Sequence, residues 1–253
     1  MIDTHCHLDA GEFAHDRLAV LGRARASRVN AQILPAVAHG NWAALRELGR
    51  CHADLFPAYG LHPIYLAEHA PEHLALLREW IFRERPVAVG EIGLDHFLPG
   101  LDAQAQATFF TEQLAIARDF DLPVIVHARR AHDEVISALR KIGGLRGVVH
   151  SFAGSEQQAD QLFRLGFCLG IGGPVTYPRA QRLRRIVAAM PNEYLLLETD
   201  APDQPLCSHR GARNEPGYLG EILNCVAELR GEPAGRLESS TDSNAVRLFG
   251  LPI

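Results

Sequence analysis

The strongest constraint on this chain is a rhythm. Short apolar runs alternate with segments of helical periodicity from one end of its 253 residues to the other. The strand-like runs are MIDTH at the start, AQILPAV (31–37), LFPAYGLH (55–62), PVAVGEIG (86–93), LPVIVHAR (122–129), GVVHSF (147–152), FCLGIGG (167–173) and YLLLETD (194–200). Between them apolar residues recur three or four apart, as in Ala107, Phe110, Leu114 and Ala117, or Leu183, Ile186, Val187 and Met190, or Leu219, Ile222, Val226 and Leu229. The strand-like runs are continuously apolar rather than alternating, which suits parallel strands covered by helices. Eight such units in about 250 residues have the size of an α/β fold of one kind, a single-domain (β/α)8 TIM barrel spanning 1–253. A doubly wound open sheet is the rival. Against it, no GxGxxG follows the first strand, which ends in His5-Cys6-His7 instead.

In a parallel barrel, chemistry sits at the carboxyl ends of the strands. There the sequence places His5 and His7 on strand one, His62 on strand three, and Glu91 on strand four with Asp95 just beyond it. Strand five ends in His127 followed by Arg129, strand six in His150, and strand eight in Glu198 and Asp200. Taken singly, each has a plain structural explanation. A strand-end histidine is commonly a hydrogen-bonded core residue, Glu91 could pair with an arginine inside the barrel, and Asp200 could cap the following segment. Six metal-competent side chains at the same end of successive strands are harder to explain that way. These are His5, His7, Glu91, His127, His150 and Asp200. The strand period turns Cys6 away from its two neighbours, into packing.

Composition narrows the chemistry. The five cysteines are odd in number and form no CxxC pair, so reduced thiols in the cytoplasm are expected. No apolar run approaches the ~20 residues of a membrane span, and no basic-then-apolar leader opens the sequence. Neither a membrane nor an obligate protein partner is expected. The net charge of −5 argues against coating nucleic acid with a basic surface. Of the 25 basic residues only Lys141 is lysine. Schiff-base, P-loop and carbamylated-lysine chemistries would all have to use that one residue, which lies in a helix-like stretch.

A lone catalytic zinc takes about three protein ligands. Six donors, two of them carboxylates able to bridge, suit two divalent metal ions. Four imidazoles with two carboxylates favour zinc, manganese or cobalt over an all-oxygen site. Ligand softness puts zinc first, with magnesium as a further option.

The motifs DTHCHLD, GLHP, VAVGEIGLD, LPVIVHARRA, GVVHSFAGS and LLLETDAP together resemble, in order, those of the TatD-type metal-dependent hydrolases. RNEP (213–216) and the terminal TDSNAVRLFG extend the resemblance to about residue 250, and ARRAHDE and TYPRA are similar to a YjjV-like bacterial branch. The resemblance implies a TIM-type barrel of the amidohydrolase superfamily and metal-dependent deoxyribonuclease activity. It implies a first metal on His5, His7, Glu91 and Asp200, and a second on Glu91 as bridge with His127 and His150. His96 departs from the pattern, since many members carry an aromatic residue after GLD.

The expected activity is therefore a phosphodiesterase acting on nucleic acid. Asp200 would accept the proton of the attacking water, His62 and Arg129 would meet the phosphate, and Asp95 would orient a ligand histidine or position substrate. An alternative keeps the same site for a carboxylic ester or small phosphoester, such as a D-aminoacyl-tRNA. A third reading, nucleic-acid binding without catalysis through Arg182, Arg184 and Arg185, is weaker than a solvated helix face.

Overall fold

The computed structural model describes residues 1–252. Eight strands run parallel: β1 (Ile2–Asp3), β2 (Ala31–Pro35), β3 (Leu55–Ala58), β4 (Val89–Asp95), β5 (Val124–Arg129), β6 (Gly147–Val149), β7 (Phe167–Ile171) and β8 (Leu195–Leu197). They pair in chain order, β1 to β3 in one ladder and β4 to β8 in another. Single bridges close both gaps. Tyr59 pairs with Val89 between β3 and β4, and Cys6 pairs with Ala201 just beyond β1 and β8. At that second seam Thr4 N–H donates to Leu197 O (3.1 Å), Asp200 N–H to His5 O (2.9 Å) and His7 N–H to Ala201 O (2.8 Å). The closed sheet is the expected (β/α)8 barrel, with strands shorter than the apolar runs that announced them.

The helices are α1 (Arg17–Ala26), α2 (Trp42–Cys51), α3 (Glu72–Glu84), α4 (Ala103–Asp119), α5 (His132–Ile142), α6 (Glu156–Arg164), α7 (Gln181–Ala189), α8 (Leu219–Arg230) and α9 (Ala234–Phe249). Two of their starts, those of α4 and α6, are capped by short polar side chains that supply the missing backbone acceptors. Asp102 accepts from Gln104 N–H (2.9 Å) and Ala105 N–H (3.1 Å) to open α4. Ser155 and Gln158 form a reciprocal capping box at α6. The expected apolar stripes lie inward: Phe110, Leu114 and Ala117 on α4, Ile186 and Val187 on α7, and Ile222 and Val226 on α8 are buried.

Two apolar layers result from the strand period. Outward residues such as Leu34, Val89, Val126, Val149 and Leu197 join the helices in one core cluster, and Cys6 is fully buried in it. Inward residues at the amino ends, among them Ile33, Ala58, Ile125, Val148 and Leu196, form a second cluster with Leu248 and Phe249 of α9. That lower plug leaves the carboxyl ends free to carry polar side chains. One irregularity matters for them. The β4–β5 register shifts between Val89 and Ile92, so two residues, Gly90 and Glu91, fill one step. Only glycine fits first, because a Cβ at Gly90 would lie 2.6 Å from Ile125 Cβ.

Candidate metal centre

Two residues above the apolar plug, the same strands present ionisable groups: His127 follows Ile125, His150 follows Val148, and Glu198 follows Leu196. His127 and His150 converge on Glu91, which is 1% exposed, and Glu198 lies behind His150. Its Oε1 lies 2.8 Å from His150 Nε2, 2.9 Å from His62 Nε2 and 3.0 Å from His127 Nδ1. Its Oε2 lies 3.2 Å from His5 Nε2 and 3.4 Å from His7 Nε2. Asp200 Oδ1 completes this side, 3.5 Å from His5 Nε2 and 3.7 Å from His7 Nε2. Burial works to neutralise Glu91, but the imidazoles around it hold its carboxyl well below the usual range. It is a buried anion ringed by five histidines.

The donor separations fit metal ions. Tetrahedral coordination with bonds of ~2.1 Å puts ligand atoms about 3.4 Å apart. His5 Nε2 and His7 Nε2 lie 3.1 Å apart, and each is 3.2–3.7 Å from Glu91 Oε2 and Asp200 Oδ1. On the other side, Glu91 Oε1, His127 Nδ1 and His150 Nε2 lie 2.8–3.3 Å apart. Glu91 thus offers one oxygen to each set.

Hydrogen bonds decide which nitrogens have a lone pair to give. Asp95 is an acceptor toward Phe97 N–H (2.8 Å) and Leu98 N–H (3.0 Å) through Oδ1. Its Oδ2, 3.0 Å from His127 Nε2, accepts that nitrogen's N–H and leaves the Nδ1 lone pair free to bind a metal. His62 is the opposite case. Its Nδ1 accepts from Ile64 N–H (3.1 Å), so the neutral ring carries its proton on Nε2 and donates it to Glu91. Burial lowers its pKa to about 4, which keeps it neutral. His62, expected to meet substrate phosphate, is therefore a buried hydrogen-bond donor to Glu91, although His62, Glu91 and His127 lie close enough together to enclose an ion.

The remaining groups are tuned by the same neighbours. Burial opposes charge on His7, yet Glu91 and Asp200 raise its pKa to about 9. Burial raises Asp200 to about 6. Its backbone sits at φ 57°, a left-handed turn that aspartate tolerates better than most residues. Gln204 donates to Asp200 Oδ2 and also bonds Ser151 Oγ. Asp3, beneath the cluster, is raised to about 7 by burial while it holds Thr199 and the N–H of His5.

Two partners escaped sequence reasoning. Glu198 was visible as a strand-end carboxylate, but only its position under His150 gives it a part. Its Oε1 accepts Ser151 N–H (2.6 Å) and lies 3.6 Å from His150 Nδ1. Gly170 makes room for it, since a Cβ there would meet Glu198 Oε2 at 2.1 Å. Gln204 lies on a loop with no periodic signal. The RNEP segment is a latch: Asn214 Nδ2 donates to Thr199 O (2.8 Å) and Asp203 O (2.9 Å), while Arg213 and Glu215 pair with Asp16 and Arg23. Among the described residues Arg129, at the rim, has no carboxylate partner, and His96 pairs with Glu134 (3.1 Å). The arginines of α7 are dispersed, Arg182 and Arg184 bonding backbone carbonyls (both 2.8 Å) and Arg185 facing Glu156.

The cluster forms the floor of a cleft of about 1530 Å³ at the carboxyl ends of the strands. The pattern of the TatD related DNase family matches residues 2–250. The chain belongs to that family. It is a TatD-family metal-dependent hydrolase, 41% identical to the uncharacterized metal-dependent hydrolase YjjV of Escherichia coli K12, over 99% of this chain and 98% of that one. It is 36% identical to a 3'-5' ssDNA/RNA exonuclease TatD of Erwinia tasmaniensis, over 99% of this chain and the whole of that one. The crystal structure of YjjV superposes with a TM-score of 0.96 at 40% identity, covering 100% of this chain and 98% of that one. No helix among the described residues is long and apolar enough to cross a membrane.

Proposed function

We propose that this TatD-family protein is a phosphodiesterase that hydrolyses nucleic acid with two divalent ions held on either side of Glu91. The observation that carries the reading is the division of the five other donors into two sets, one at each Glu91 oxygen, in a buried floor beneath an open cleft. His5, His7, Glu91 and Asp200 would hold one ion, and Glu91, His127 and His150 the other, with zinc favoured by the imidazole-rich set. Such ions supply an acidified water and neutralise charge on the attacked ester.

The chain's own groups do the rest. Asp200 faces the cleft with a carboxyl whose affinity for protons is raised, so it is suited to take the proton of an attacking water. Gln204 holds its second oxygen and so fixes its direction. Asp95 holds His127 and, through it, one side of the cluster. His62 keeps Glu91 Oε1 hydrogen-bonded from below the substrate, and Arg129 offers its guanidinium fork to a phosphate at the rim. A 3'-5' exonuclease among the relatives supports nucleic acid as the substrate class.

The test is metal analysis joined to a substrate panel. Purified protein should contain about two ions per chain and cut single-stranded DNA or RNA, and a chelator should remove both ions and activity without unfolding the barrel. A preference for a D-aminoacyl-tRNA or a nitrophenyl ester over nucleic acid ends would overturn the nuclease reading and favour the ester alternative.

A further inference from the structure

Six large apolar side chains are exposed among the described residues, and three of them, Tyr65, Phe97 and Leu98, stand around the one cleft above the donor cluster. Phe97 is 41% exposed and is not a core residue. The Arg129 guanidinium lies 3.6 Å from its ring centroid, and that of Arg130 lies 4.7 Å away. Several arginines of this protein are paired with carboxylates, as in Arg23–Glu215, Arg25–Asp54 and Arg146–Asp121. Among the described residues neither Arg129 nor Arg130 has such a partner. The nearby Glu134 is turned to His96 instead.

The platform is also built into the cluster's frame. Asp95 holds the N–H groups of Phe97 and Leu98 with one oxygen and His127 with the other. Gln106 of α4 clamps Asp95 from behind, accepting its N–H (2.8 Å) and donating to its C=O (3.0 Å). One carboxylate therefore fixes the distance between an exposed aromatic ring and a group beside Glu91.

We infer that Phe97 with Arg129 and Arg130 forms a nucleotide subsite, in which the ring stacks on an unpaired base and the guanidiniums take the adjoining phosphates. The inference rests on the nucleic-acid reading and sharpens it. A base inside a duplex presents no free face, so the subsite selects single strands or frayed ends. Stacking on an aromatic ring tolerates any base, and cations on that ring strengthen it.

Binding tests this apart from catalysis. Metal-loaded protein is titrated into a labelled phosphorothioate oligothymidylate, which resists hydrolysis, and into versions with an abasic unit at either end. Wild type should bind the intact oligomer about ten-fold more tightly than one of the abasic forms, the scale on which base–aromatic stacking acts. Phe97→Ala should lose that preference, and Phe97→Tyr should restore it. Arg129→Gln should weaken all forms alike and lower the salt slope by about one. Equal binding of intact and abasic oligomers by wild type, an unchanged preference in Phe97→Ala, or no binding at all would overturn the subsite. Base-dependent binding of an unmodified oligomer that is never cut would instead leave the subsite standing and overturn the nuclease reading.

Discussion

The two ends of the barrel interior use the same strands for opposite purposes. At the amino end, Ile125, Val148 and Leu196 pack against α9 in a layer of hydrocarbon. Two residues later, His127 and His150 flank the buried Glu91 carboxylate, with Glu198 beside His150. The floor gains from removing apolar area from water, and a substitution there costs stability. The upper layer concentrates groups that would each be costly to bury alone, and it persists only because every charge has a partner. Stability and chemistry are thus separated by one strand period, about 7 Å along the chain.

The contrast breaks most sharply at Glu91. Glu91→Gln removes the carboxylate that offers an oxygen to each donor set, and activity should fall by roughly three orders of magnitude with loss of bound metal. Circular dichroism should still report a folded barrel; full metal content in this variant would refute the bridging role. Leu196→Ala attacks the other layer. It should cost about 2–5 kcal/mol of unfolding free energy, measured by denaturant titration, with metal content per folded molecule unchanged. Asp95→Asn should lower metal affinity or activity by about 10–100-fold, the usual scale for a group that orients a ligand. An equal loss in a variant of an exposed residue such as Phe82 would show that the effect is not specific to His127.

The smallest effect is in pH. In the metal-free protein His7 is raised from 6.5 to about 9. A group with a raised folded pKa stabilises fully below its unfolded value and loses that contribution as pH rises through the folded one. The melting temperature of chelated protein should therefore decline between pH 6.5 and 9. Asp3 and Asp200, raised to about 7 and about 6, act in the same direction at lower pH. Added zinc should reverse the trend, because metal competes with protons for the same nitrogen and binds better as pH rises. Thermal melts with and without zinc across this range would show it, and a chelated protein equally stable at both limits would count against the His7 environment described here.

Much of this arrangement was legible before any coordinates. The eight apolar runs announced the strands, and His127 and His150 followed from reading which residue ends each run. His62 was less legible: it lies four residues beyond β3, at the start of the turn Pro63–Glu68, and its tautomer depends on the Ile64 N–H, which no residue pattern reveals. Glu91 shows the limit of alternation. A bulge inserts a residue after Val89, so the carboxylate faces inward only because the period is broken. Phe97 carried no signal in the sequence, because its meaning lies in Arg129, on the next strand.

By itself the sequence determined the βα rhythm, the polar strand ends and the absence of a lysine suited to the site. It did so because apolar periodicity and residue chemistry are local properties. The resemblance placed His5 and Asp200 on one metal, but only the tertiary structure shows how residues so far apart in the chain meet. Closure of the barrel between β1 and β8 brings them together, and hydrogen bonds across that seam hold His5 O to Asp200 N–H at 2.9 Å.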